Sequence, residues 1–223
     1  MATTVLALSG ALSVVPVSGA SPERLSGAPP SATVAKRELL RQPDFPKGWK
    51  ELAGSSTGSG TLSSSLEFDQ VARCEGVSVS HLGRSAWAGI GFDRLSDFEV
   101  VLESVGLFSS TINATTYYDL FASRKALSCL RPVVAGGSIS GKIAKVTPSS
   151  ITIAKVTFPK EGSATTALRL GFAAKVDSQI VHTQVDMILI RSATSLSLLI
   201  IPLAGVPVAL VYSVAKNAAA RLR

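Results

Sequence analysis

A chain of 223 residues with 46% apolar and 17% charged side chains has the length and apolar mass of one folded domain, which excludes disorder over most of its length. Its formal charge of +7 is split: residues 1–120 carry 9 basic and 12 acidic side chains, whereas residues 121–223 carry 13 basic ones against Glu161, Asp177 and Asp186. The cations are scattered and fit no zinc-finger, helix-turn-helix or RNA-binding pattern, which excludes nucleic acid as partner and leaves a solvated face or an anionic surface such as lipid headgroups or cell-wall phosphate.

Residues 1–20 form a signal-like apolar segment. Residues 5–17 hold no charge, and Val17-Ser18-Gly19-Ala20 places small residues where a signal peptidase reads. No basic residue precedes the apolar run, which points to a mis-set start. Leu8-Ser9-Gly10-Ala11 has the outline of a lipoprotein box without its cysteine, so cleavage near Ala20 is expected rather than lipid anchoring. Residues 21–35, with Pro22, Pro29 and Pro30, read as a disordered tether. The folded domain is expected over residues 36–223.

A short helix is expected from Ala32 through Leu40, stopped by Pro43. Asp44-Phe45-Pro46-Lys47-Gly48-Trp49 follows as a turn whose Phe45 and Trp49 plug the edge of the core. Residues 54–65 are rich in Gly, Ser and Thr and read as an exposed loop. Residues 85–92 alternate as a half-buried strand with Ala86, Ala88, Ile90 and Phe92 on one side. Residues 98–108 form a second strand, with Phe98, Val100, Leu102 and Phe108 inward and Glu99 and Glu103 opposite. Asn113 is the expected N-cap of a helix carrying Ala114, Tyr117, Tyr118, Phe121, Ala122 and Cys129 on one face, closed by Pro132.

The remainder is β-rich. Residues 151–158 form a strand. Leu168, Leu170, Phe172, Ala174 and Val176 alternate, as do Val181, Val185, Met187 and Leu189 after an Asp177-Ser178 turn, so the two make a hairpin. Residues 192–215 hold no charge over a length that could cross a membrane. Pro202, Gly205 and Pro207 divide them into a strand over 196–201 and a helix begun by Pro207, with Val208, Val211, Tyr212, Ala215 and Leu222 as its buried stripe. The fold class is therefore α+β: one domain, mainly an antiparallel β-sheet packed with helices.

Cys74 and Cys129 are the only cysteines. Without CxxC spacing they read as one disulfide stapling the Asn113 helix to the segment before the first strand, with two buried thiols as the alternative. Gly54-Ser55-Ser56-Thr57-Gly58 spells a nucleophile elbow but lacks the strand and helix that would strain the serine. The only histidines, His81 and His182, have no neighbours at metal-ligand spacing, so neither a metal nor a cofactor is expected. Lys125 falls on the apolar stripe of the Asn113 helix beside Tyr117 and Tyr118. Arg191 follows the apolar residues Met187 to Ile190. Each either snorkels to water or presents a cation to a pocket. Lys125, Arg191, His182 and Tyr118 are thus the candidate ligand-binding residues, and no catalytic group is assigned.

Taken together, Leu39-Leu40, the Asp44 to Trp49 turn, Cys74, the helix reaching Cys129 and Val185-Asp186-Met187-Ile188-Leu189-Ile190-Arg191 before a last helix resemble secreted actinobacterial domains related to the extracellular sensor domain of PknH-type kinases. The resemblance spans residues 36–223. It implies an antiparallel sheet packed with helices around a cleft that binds a ligand without catalysis. The chain departs from the pattern in having one cysteine pair, no lipid-bearing cysteine and no kinase. The expected function is a non-catalytic, secreted or cell-envelope, sensor-like domain for a small amphiphilic or anionic ligand, with a lipid, the cell wall or a membrane surface as partner. The alternatives are an envelope hydrolase using His182 or His81, and an interaction protein anchored through residues 192–215.

Overall fold

The computed structural model describes residues 31–52, 56–59, 66–78, 84–94, 99–135, 148–176 and 179–222. The signal-like segment, most of the tether, His81, Phe98 and the Asp177-Ser178 turn lie outside the described residues.

Ser31 caps α1 (Ala32–Glu38) by accepting the Val34 N–H. The helix begins at Ala32 as its sequence suggests and ends at Glu38, with Ala35, Leu39 and Leu40 buried against the sheet. A single 3-10 turn at Gln42–Asp44, with Pro43 inside it, then reverses the chain. Phe45 and Trp49 are buried behind it, and the Phe45 ring centre lies 4.3 Å from that of Phe92 and 5.1 Å from that of Trp49. The turn plugs the core as its sequence suggests, each such aromatic contributing about 1.5–3 kcal/mol of burial.

The strands are β1 (Lys50–Glu51), β2 (Ser56–Ser59), β3 (Arg84–Arg94), β4 (Glu99–Phe108), β5 (Pro148–Val156), β6 (Ala164–Val176), β7 (Gln179–Ser192) and β8 (Ser195–Pro202). They form one antiparallel sheet in the order β1-β3-β4-β8-β7-β6-β5, with β2 also paired to β3. Residues 56–59 are thus a strand, not part of an exposed loop: Ser56 to Ser59 pair with Gly89 to Ala86. The hairpin of β6 and β7 pairs Leu168 with Met187 and Leu170 with Val185, as the two alternating runs require.

Both faces of the sheet are covered. On one, Phe92, Val101, Val105, Ile188, Ile190 and Leu199 pack with α1 and α5 (Val208–Arg221). On the other, Phe108, Leu168, Leu170, Met187 and Leu198 pack with α2 (Leu66–Glu75), α3 (Thr111–Ala122) and α4 (Ala126–Ala135). The Cys74–Cys129 disulfide joins α2 to α4 across a Cα separation of 5.7 Å. Cys129 is fully buried, as its place on an apolar stripe suggests.

Several expectations change. The Asn113 helix is two helices. Ser110, not Asn113, caps α3 by accepting the Asn113 N–H, and Ser123 ends it in an extended conformation while its hydroxyl accepts the Ala126 N–H and starts α4. Pro132 lies inside α4 instead of closing it. Lys125 consequently sits in the exposed turn between the helices, off any apolar stripe. On β4 the polarity is inverted: Glu99 and Glu103 are 1% and 3% exposed and share a face with Val101 and Val105, while Val100 and Leu102 are half-buried on the other. On α5 the buried stripe is Leu210, Val211, Val214, Ala215 and Ala218, and Val208 and Tyr212 are exposed. Among the described residues no helix is long and apolar enough to cross a membrane, since residues 192–215 divide into the end of β7, β8 and half of α5.

Because the bridge closes 55 residues of chain, the double variant Cys74→Ser, Cys129→Ala is expected to lose about 4 kcal/mol of unfolding free energy. Urea titration reads the loss, and an unchanged midpoint would show that the bridge does not restrain the unfolded chain.

Candidate functional site

The sequence around α1 places a short basic helix against the sheet, and one buried carboxylate fixes it there. Glu103 projects from β4 beneath the end of α1. Its Oε2 accepts the Leu40 N–H at 2.6 Å and its Oε1 accepts the Ser197 hydroxyl at 2.8 Å. Burial pushes the Glu103 carboxyl up to about 7, against the opposing pull of the Leu40 N–H, the Ser197 hydroxyl and the Arg221 charge, while Asp44 adds to the rise.

Asp44 ties the same region to α5. The Arg41 N–H donates to its Oδ2 at 2.6 Å, which closes the 3-10 turn. Arg221 grips the carboxylate through Nε at 2.7 Å and Nη2 at 3.0 Å, and Asn217 donates to the Asp44 carbonyl at 3.0 Å. Two clefts result, one on each side of α1. A cleft of about 480 Å³ lies between α1 and α5, lined by Val34, Arg37, Glu38, Arg41, Ala220 and Arg221. The second, about 500 Å³, lies between α1 and the β1–β3 edge and includes Lys36, Leu39, Gln42, Glu51 and Ile90. Arg37 and Arg41 line both. They are exposed, Arg221 is half-buried, and Glu38 is 3% exposed, so the cleft presents guanidinium groups to solvent beside one buried acid.

The four residues singled out from sequence do not form one site. Arg191 and Tyr118 meet: the Arg191 guanidinium carbon lies 5.9 Å from the Tyr118 ring centre, and Nη1 donates to Thr115 Oγ1 at 2.9 Å. Burial raises the Tyr118 hydroxyl above its ordinary range, opposed by the Arg191 charge, with Asp119 adding to the rise. Gly162, at φ +63°, lets the β5–β6 turn press on the Arg191 carbonyl, which an added Cβ would approach to 2.6 Å. This corner is packed: the nearby space under α3, bounded by Tyr117, Leu189 and Leu196, is only about 20 Å³. His182 is exposed on the opposite face of β7, and Lys125 stands in the α3–α4 turn. No cluster of three His, Cys, Asp or Glu suited to a metal occurs among the described residues.

The sequence missed Arg37, Arg41, Asp44, Glu103 and Arg221 as a group. The one local signal was the closeness of Arg37, in the last turn of α1, to Arg41 in the extended segment just past it.

No protein-family model matches the sequence, and no curated protein does. The fold is similar to the crystal structure of the extracellular domain of PknH from Mycobacterium tuberculosis, with a TM-score of 0.51 at 13% identity over 87% of this chain and 97% of that one. At that identity the likeness is one of fold.

A carboxyl raised in the folded state makes stability fall as pH rises. Below 4.5 the group is protonated whether folded or not. Between 4.5 and about 7 only the folded protein holds the proton, so stability drops by about 1.4 kcal/mol per pH unit, on the order of 3 kcal/mol in all. Glu103→Gln keeps the shape, can still accept from Leu40, and is expected to flatten this slope and to be the more stable form at pH 8. Thermal melts from pH 4 to 8 that run parallel for the two proteins would refute the assignment.

Proposed function

We propose that the chain is an extracytoplasmic, non-catalytic, sensor-like ligand-binding domain whose ligand is an anion held in the cleft between α1 and α5. The observation that carries the reading is the convergence of Arg37, Arg41 and Arg221 on one opening of about 480 Å³, a volume within the roughly 300–1,000 Å³ typical of small-molecule sites. Arg221 enters the wall already oriented by Asp44, so little side-chain entropy remains to be lost on binding. The disulfide supports an oxidising compartment. The fold likeness to an extracellular domain points the same way.

In this reading the domain recognises its ligand and leaves it chemically unchanged. The sheet supplies a rigid floor, Glu103 holds α1 on it, and the guanidinium groups give charge and direction. The candidate pair Tyr118 and Arg191 serves as a packed support under α3, and His182 and Lys125 stay outside the site.

Native mass spectrometry of the protein recovered from its own cell envelope is expected to show an anionic adduct. The double variant Arg37→Ala, Arg41→Ala should lose it and Lys125→Ala should keep it. An adduct that survives the double substitution would move the ligand elsewhere and overturn this reading.

A further inference from the structure

We infer that the group recognised in the α1–α5 cleft is a phosphate borne on a small polar or glycerol-sized skeleton; this rests on the anion reading above and names its chemistry. Asp44 occupies the edge of the Arg221 guanidinium formed by Nε and Nη2. A planar guanidinium has five N–H donors in a fixed fork, so the edge containing Nη1 points away from Asp44. Arg221 also lines the cleft.

A carboxylate has two oxygens in one plane and is matched by a single fork, as Asp44 is matched here by Arg221. The cleft offers more than that. Arg37 and Arg41 come from the α1 side and Arg221 from the α5 side, so donors approach one anion from separate directions. A phosphate presents three or four oxygens at tetrahedral angles, and so offers more acceptor positions than a carboxylate to forked donors arriving from both walls. Glu38 is the acid of the lining and is 3% exposed, so three guanidinium groups face one buried carboxyl there.

The cleft is larger than a bare phosphate, and its remaining wall is partly apolar. Val34 is 39% exposed and lines it with Ala220. A carbon skeleton attached to the phosphate can lie there. The phosphate could come from a soluble ester or from the headgroup of an anionic phospholipid, and the two sources share this recognition chemistry.

The full domain with its disulfide intact is titrated calorimetrically with glycerol 3-phosphate, inorganic phosphate and succinate. It is then sedimented with phosphatidylglycerol vesicles and with phosphatidylcholine vesicles at physiological salt. A phosphate ester is expected to bind at least about tenfold more tightly than succinate. The variant Arg37→Lys, Arg41→Lys keeps the charge but loses the forks, and is expected to weaken phosphate binding by about tenfold or more. Binding of glycerol 3-phosphate without sedimentation assigns a soluble ester. Sedimentation with phosphatidylglycerol alone, lost in the lysine variant, assigns the headgroup.

Succinate binding as tightly as phosphate, or a lysine variant that binds phosphate like the wild type, overturns the phosphate inference and leaves the anion reading standing. No binding of any of these anions, with no anionic adduct on the native protein, overturns both. Circular dichroism melts of the lysine variant that match the wild type confirm that the comparison is between folded proteins; both substituted positions are exposed.

Discussion

The central strands of the sheet are buried on both faces, and the rest of the molecule is arranged around that constraint. In β8 the residues from Ser195 to Leu199 are all buried, and in β7 so are Met187 to Ile190. Helices must therefore lie on both sides: α1 and α5 on one, α2, α3 and α4 on the other. Every polar group on these strands then needs a partner inside the protein, because an unpaired one would carry its full desolvation cost. Glu103 takes Leu40 and Ser197, and Asp186 takes a two-pronged Arg169. Such pairs add little net stability, but losing one member is costly, so they hold neighbouring elements in register.

The same constraint explains which elements could be read from sequence. The alternation in β6 is legible because its second face is only partly covered, with Arg169 reaching water past Asp186. In β4 the alternation is equally regular, yet it pointed the wrong way, since assigning the acids to solvent presumes a wet face that this strand lacks. The α3–α4 break is a local competition: Ser123 can end one helix and cap the next, and a stripe that runs through both gives no warning of it. On α5 the stripe is shifted: Val208 and Tyr212 stay exposed, and the Tyr212 ring meets Phe158, which lies beyond the end of β5. The disulfide was legible because two cysteines permit one intramolecular pairing.

The candidate site was the least legible part. Arg37 and Arg41 lie some 180 residues from Arg221 in sequence, and each alone reads as a solvated cation near a helix end, where the macrodipole favours it. Their meeting depends on α1 and α5 sharing one face of the sheet. Tyr118 and Arg191, by contrast, were brought together by rules visible in the sequence. Arg191 has the same strand parity as Met187 and Leu189, and Tyr118 belongs to the stripe of the helix that covers them. That parity also separates His182 from them, which is why the four candidates could not share a pocket.

Glu103 and the cleft are linked through common charges. Arg221 favours the ionised form of Glu103 and Asp44 opposes it, and these two residues also form the clamp at the foot of the cleft. The peptide N–H held by Glu103 belongs to Leu40, the neighbour of Arg41 in the cleft wall. In the anion reading proposed above, a negative charge at Arg221 would act on Glu103 in the same direction as Asp44, favouring its proton, and by reciprocity a protonated Glu103 would leave more of the positive potential of Arg221 for the anion.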